Sequence, residues 1–260
     1  MPPSPTMKAV LKPRQRMIEA GNGEMVLFLH GAGGFPAWFP FFEALSQDYR
    51  LLMPEHPNFG ASDEAPDLRT VSDYAYYYLD FLEALDVPRV HVVGHSLGGW
   101  ISAEMAVRDS SRFASLTLLA PAGARVKGHL AGDNFIWSPE ESVRKLFHDP
   151  ALQEQILAIK PTEAQQEEMV RSRLIAARLG WEPRWFNPAL PKWLHRIKAP
   201  TLLVWGEDDA LLPAAWSAAW KEAVPRLRHV PLPACGHSPH IEKTAAVLDA
   251  MRPFLQENRA

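Results

Sequence analysis

Ser96 stands among glycines in Gly94-His95-Ser96-Leu97-Gly98-Gly99, directly after the apolar run Val90-His91-Val92-Val93. A serine on a sharp strand-to-helix turn presents its hydroxyl for attack on a carbonyl, provided a base takes the proton and a third group orients the base. The bland alternative is a tight turn and nothing more. Two stretches downstream contain the missing residue types. WGEDDALLP at 205–213 places Asp208 and Asp209 after one apolar run, and CGHSPHIE at 235–242 places His237 after another. A developing oxyanion also needs two aimed N–H groups. Leu97 follows the serine at the head of a helix, and the loop His30-Gly31-Ala32-Gly33-Gly34 offers a second donor. Read alone, that glycine-rich loop suggests phosphate binding. It lacks both the G-x-G-x-x-G spacing and a Gly-Lys-Ser/Thr ending, so this reading falls.

The elements that must hold these residues are legible in the hydrophobic pattern. Short, largely continuous apolar runs at Met25–His30, Tyr49–Pro54, Arg89–Gly94, Ala114–Ala120, Thr201–Gly206 and Arg226–Leu232 read as strands covered on both faces. Between them Tyr74–Leu85, Trp100–Arg108, Pro213–Val224 and Ile241–Leu255 are helix-compatible. Alternating strands and helices imply a mostly parallel sheet with helices on both faces. Ser96, Asp208/Asp209 and His237 all follow strand ends, where open α/β sheets build their sites. From Gly123 to Lys198 no strand is convincing. Glu140–His148, Leu152–Ile159 and Thr162–Leu179 read as helices, so residues 123–198 are expected to be a helical insertion in a core of residues 1–122 and 199–260.

Composition bounds the partners. The 260 residues are 47% hydrophobic and 22% charged, as in ordinary globular enzymes. A net charge of −3 provides no basic field for nucleic acid and no polybasic membrane patch. The single cysteine, Cys235, excludes an intramolecular disulfide. With no signal-peptide pattern at the start, a cytoplasmic location is the expectation. The first residues, with three prolines, read as a loose leader, with Met7 and Met17 as alternative starts. No run suits a membrane span, so no stable membrane insertion is expected. A homo-oligomer is left open. His237 and His240 lack a third metal ligand at sensible spacing, so neither metal nor cofactor is expected. Cys235 reads as a buried small residue, and His30 and His95 as makers of structural hydrogen bonds.

Together HGAGG at 30–34, PEHPNFGASD at 54–63, GHSLGG at 94–99, WGEDDALLP and CGHSPHIE make the chain resemble an α/β-hydrolase with a helical cap, from about Ile18 to Leu255. The resemblance implies about eight strands with the cap inserted after the sixth. It implies Ser96 as nucleophile, His237 as base and an aspartate as orienter, the G-x-x-D pattern mapping from Gly206 onto Asp209 with Asp208 as fallback. Its oxyanion donors map onto the amides of Leu97 and Ala32, with Gly33 as runner-up. Two positions depart from the pattern: Glu55 stands for an aspartate and Asn58 for a glycine, and Asn is among the side chains that tolerate a left-handed backbone.

The expected function is a serine hydrolase that cleaves a carboxylic ester of a small to medium, partly apolar molecule through an acyl-enzyme. A serine at the elbow argues against haloalkane dehalogenases and epoxide hydrolases, which carry a carboxylate there. Carbon–carbon bond hydrolases of ring-cleavage diketo acids keep the serine; they often carry a tryptophan after the histidine, where Ser238 stands here. Thioesterase, lactonase, acyltransferase and perhydrolase activities share the constellation. A ligand-binding receptor on the same scaffold is the alternative of another class. Trp137, Trp181, Trp185, Phe186 and Trp193 concentrate in the insertion, either to pack it on the core or to form an apolar acyl pocket.

Overall fold

The computed structural model describes residues 2–35 and 37–260. Its strands are β1 (Thr6–Lys8), β2 (Gln15–Ala20), β3 (Met25–Leu29), β4 (Arg50–Pro54), β5 (Val90–His95), β6 (Phe113–Leu119), β7 (Thr201–Gly206) and β8 (Leu227–Leu232). They form one sheet in the order β1-β2-β4-β3-β5-β6-β7-β8. From β4 to β8 all neighbours are parallel, while β1 and β2 run antiparallel at one edge.

The helices are α1 (Pro40–Ser46), α2 (Val71–Ala84), α3 (Leu97–Arg108), α4 (Pro139–Leu146), α5 (Pro150–Ala158), α6 (Glu163–Gly180), α7 (Ser217–Ala223), α8 (Pro239–Glu242) and α9 (Thr244–Glu257). Successive side chains of a strand point to opposite faces, and this divides the core in two. On one face Leu27 and Leu29 of β3 pack with Tyr74, Tyr78 and Phe81 of α2 and Ile101 and Met105 of α3. On the other, Val26 and Phe28 pack with Phe41, Phe42 and Leu45 of α1 and Val247, Met251 and Phe254 of α9. Strands buried on both sides read as unbroken apolar runs for this reason.

The strand at Thr6–Lys8 was not anticipated: it pairs with Gln15–Met17 at the sheet edge, directly after the proline-rich residues read as a loose leader. Helix α1 was also not anticipated: seven residues behind an aromatic and proline-rich loop give too short a pattern to show periodicity.

Between β6 and β7 lie α4, α5, α6 and two short 3-10 turns, with no strand among them. Ser138 and Thr162 cap α4 and α6 in reciprocal boxes with Glu141 and Gln165. Each such cap is worth about 1 kcal/mol. Helix α6 turns Ser172, Ala176 and Leu179 inward. It is tied to the loop after β4: Gly60 N–H donates to Ser172 Oγ at 3.3 Å, and Arg171 donates to the Gly60 carbonyl at 2.9 Å. Arg16 of β2 joins the same contact, reaching Glu55 at 2.5 Å and Glu168 of α6 at 2.7 Å.

Candidate active site

Ser96 sits between β5 and α3 with φ 54° and ψ −115°, a left-handed region costly for a residue with a Cβ. The chain holds it there by packing its neighbours tightly. A Cβ on Gly98 would stand 2.0 Å from the Leu29 carbonyl oxygen, and one on Gly94 would stand 2.5 Å from that of Gly98. Only glycine fits either place. The Ser96 N–H donates to the Leu119 carbonyl at 2.9 Å, and its own carbonyl accepts from Trp100 and Ala122, so both neighbouring segments hold the corner.

The loops after β7 and β8 bring their residues to the same point. His237 Nε2 lies 2.9 Å from Ser96 Oγ, and His237 Nδ1 lies 2.7 Å from Asp209 Oδ2. Asp209 is oriented in turn, its Oδ1 accepting the N–H groups of Leu211 at 2.9 Å and Leu212 at 2.8 Å. All three residues are nearly enclosed: Ser96 is 5%, His237 3% and Asp209 6% exposed. With Nδ1–H donating to the carboxylate, Nε2 is the lone-pair nitrogen facing the hydroxyl. Asp208 faces elsewhere, its Oδ2 3.2 Å from His148 Nδ1 on a half-exposed surface.

The amides of Leu97 and Ala32 are the candidate oxyanion donors expected from the sequence. Leu97 is the first residue of α3, where helical N–H groups have no partner within the helix. Among the described residues neither Leu97 N–H nor Ala32 N–H has a hydrogen-bond acceptor, whereas Gly34 N–H donates to the Gly31 carbonyl. The loop with Ala32 is held from behind. His30 Nε2 accepts from the N–H of His56 at 2.9 Å, and His56 Nε2 lies 2.9 Å from the His30 carbonyl. Tyr78 OH then reaches His56 Nδ1 at 2.7 Å.

Sequence reasoning assigned His95 no particular partner. Its Nε2 lies 2.9 Å from the carbonyl oxygen of His237, so it donates to the residue 142 positions away. His30, His56 and His240 are buried and His95 is partly so; desolvation first, then neighbouring histidine rings for His30, His95 and His240, lowers their pKa values. That of His56 falls to about 4 and that of His240 to about 3. Burial pushes the Cys235 thiol up to about 12.

The departures at 55 and 58 are accommodated. Glu55 is fully buried, and its Oε2 accepts from Ala61 N–H, Ser62 N–H and Ser62 Oγ–H. Asn58 takes φ 71°, and its side chain bonds both the N–H and the carbonyl of Ala65. The aromatic residues of the insertion divide. Trp185 is 1% exposed and stacks on Phe135, while Trp181 and Trp193 are about half exposed. Phe186 lies beneath the Arg125 guanidinium. Among the described residues no group of three or more His, Cys, Asp or Glu is placed to hold a metal ion, and no helix is long and apolar enough to cross a membrane.

An eight-stranded sheet with a serine on a strained strand-to-helix corner defines the class: a hydrolase of the α/β type. Residues 26–250 match the family model described as the alpha/beta hydrolase family, and the chain belongs to that family. Its relatives include 2-hydroxy-6-oxo-6-phenylhexa-2,4-dienoate hydrolase of Comamonas testosteroni, 29% identical over 86% of this chain and 85% of that protein. They also include pimeloyl-[acyl-carrier protein] methyl ester esterase of Nitrosomonas europaea, 26% identical over 89% of this chain and 96% of that one. Among solved structures, a bacterial membrane phospholipase A described as a virulence factor superposes with a TM-score of 0.82 at 24% identity, over 99% of this chain and 87% of that one. That likeness is one of fold.

Proposed function

We propose that the protein is a serine hydrolase that cleaves a carboxylic ester of a small to medium, partly apolar substrate through an acyl-enzyme on Ser96. The observation that carries this reading is the chain of contacts from Ser96 Oγ to His237 Nε2 and from His237 Nδ1 to Asp209. In the first step His237 Nε2 takes the Ser96 proton as Oγ attacks the carbonyl carbon. Asp209 keeps Nδ1 protonated and stabilises the imidazolium that results. The amides of Leu97 and Ala32 bind the oxyanion, stabilising charge that exists only near the transition state. The imidazolium then protonates the leaving alkoxide. In the second step His237 takes a proton from water, which attacks the acyl-enzyme and releases the acid.

Cleavage of a carbon–carbon bond in a ring-cleavage diketo acid is the second reading, favoured by the relatives that act on 2-hydroxy-6-oxo dienoates. Ser238 in place of the tryptophan common in those enzymes weighs against it. Turnover of esters, thioesters, lactones and vinylogous diketo acids by wild type and Ser96→Ala separates the two. Esters are expected to give the highest kcat/KM; a diketo acid turned over faster than every ester would replace the first reading with the second.

A further inference from the structure

The peptide of His237 is gripped from two sides. Its carbonyl accepts from His95 Nε2 at 2.9 Å, and its N–H donates to the Leu146 carbonyl at 2.8 Å. Leu146 is the last residue of α4, inside the insertion. With Nδ1 on Asp209 and Nε2 on Ser96, every polar group of His237 is engaged, and one of them is engaged by the insertion. A second link runs alongside. Glu242, which ends α8, accepts the N–H of Gly236 at 3.0 Å on Oε1 and the N–H of His148 at 2.7 Å on Oε2. Gly236 directly precedes His237, and His148 lies in the turn between α4 and α5. The fit is close, since a Cβ on Gly236 would stand 2.5 Å from the Leu146 carbonyl oxygen. The nearby His148–Asp208 pair is half exposed and adds little.

Both partners of Glu242 are backbone donors, so the bridge needs two acceptor atoms, which an ionised carboxylate supplies and an amide does not. We propose that Glu242 is a positioning residue for His237, bridging the α4–α5 turn of the insertion to the loop that carries the base. This rests on His237 being the base. The insertion then acts on proton transfer as well as on access: a displaced turn removes an anchor from the His237 peptide and loosens the alignment of Nε2 with Ser96 Oγ.

Glu242→Gln keeps the side chain's size and offers one acceptor in place of two. Its kcat on an activated ester is expected to fall about ten- to a hundredfold, with KM within about twofold of wild type. Amide hydrogen exchange is expected to rise together in residues 146–149 and 235–238. Glu242→Asp keeps both acceptors on a shorter arm and should recover part of the lost kcat; it also serves if the glutamine variant does not fold. An unchanged kcat, a change confined to KM, equal loss in both variants, or faster exchange in only one of the two segments would overturn the proposal. If wild type fails to react with a fluorophosphonate at Ser96, the assignment of the base fails instead. The paired exchange measurement then still decides whether Glu242 joins the two segments.

Discussion

His95 donates from Nε2 to the carbonyl oxygen of His237 at 2.9 Å, so the residue before the serine holds the backbone of the residue that faces it. That donor role requires a proton on Nε2, and burial keeps the ring neutral, with its pKa well below the ordinary value of 6.5. His30, His56 and His240 are buried nearby with lowered values of their own. The unfolded chain binds a proton at each of these near pH 6.5, and the folded chain does not. Stability is therefore complete well above pH 6.5 and is lost as pH falls toward the folded values, which reach about 4 for His56 and about 3 for His240. Each group contributes a loss of about 1.4 kcal/mol per pH unit in that window. Calorimetry at pH 7.5, 6.5 and 5.5 should give a Tm that falls slightly over the first step and more steeply over the second. A Tm unchanged at pH 5.5 would show that these rings are not held neutral.

Asp208 and Asp209 are adjacent in the chain, but only Asp209 reaches His237. Asp209→Asn removes the carboxylate that fixes the imidazole tautomer, and kcat is expected to fall about 10³- to 10⁴-fold. Asp208→Asn breaks a half-exposed pair with His148 and should change kcat by less than about threefold. Steady-state kinetics of the two variants give the comparison, and a larger loss at Asp208 would reverse the assignment.

Cys235 lies two residues before His237, yet it is fully buried and its thiol is pushed up to about 12. Thiolate is the reactive form, so iodoacetamide at pH 8 should leave the native protein unlabelled and inactivate nothing. Labelling of Cys235 in native protein, measured by peptide mass, would mean that the loop before His237 opens.

Much of this arrangement was legible in the residues. Val90–Val93 before a glycine-flanked serine marks a strand running into an elbow, and the sheet places that strand between β3 and β6. The run before GEDD is a strand buried along its whole length, whereas the run before CGH, expected to be covered on both faces, is the last strand of the sheet and only partly buried. The edge was not legible. Gln15–Ala20 is polar and mixed, and it is a strand because β1 and β4 pair with it, β4 from more than thirty residues away. Nor were the contacts that involve backbone atoms. No residue type announces that His95 will meet the carbonyl of His237, or that the Leu146 carbonyl will accept its N–H. Nothing in the sequence singles out Glu242; α8 carries it to two amides. Choosing between Asp208 and Asp209 by spacing needed a resemblance; the loop's geometry separates them by their partners.

The central claim is that Ser96 Oγ, facing His237 Nε2 at 2.9 Å, is a nucleophile. Reaction with a fluorophosphonate probe followed by peptide mass mapping tests it most directly. The expected result is a single covalent adduct on Ser96, with labelling and ester turnover both lost in Ser96→Ala. An adduct on another residue, or full ester turnover in Ser96→Ala, would contradict it.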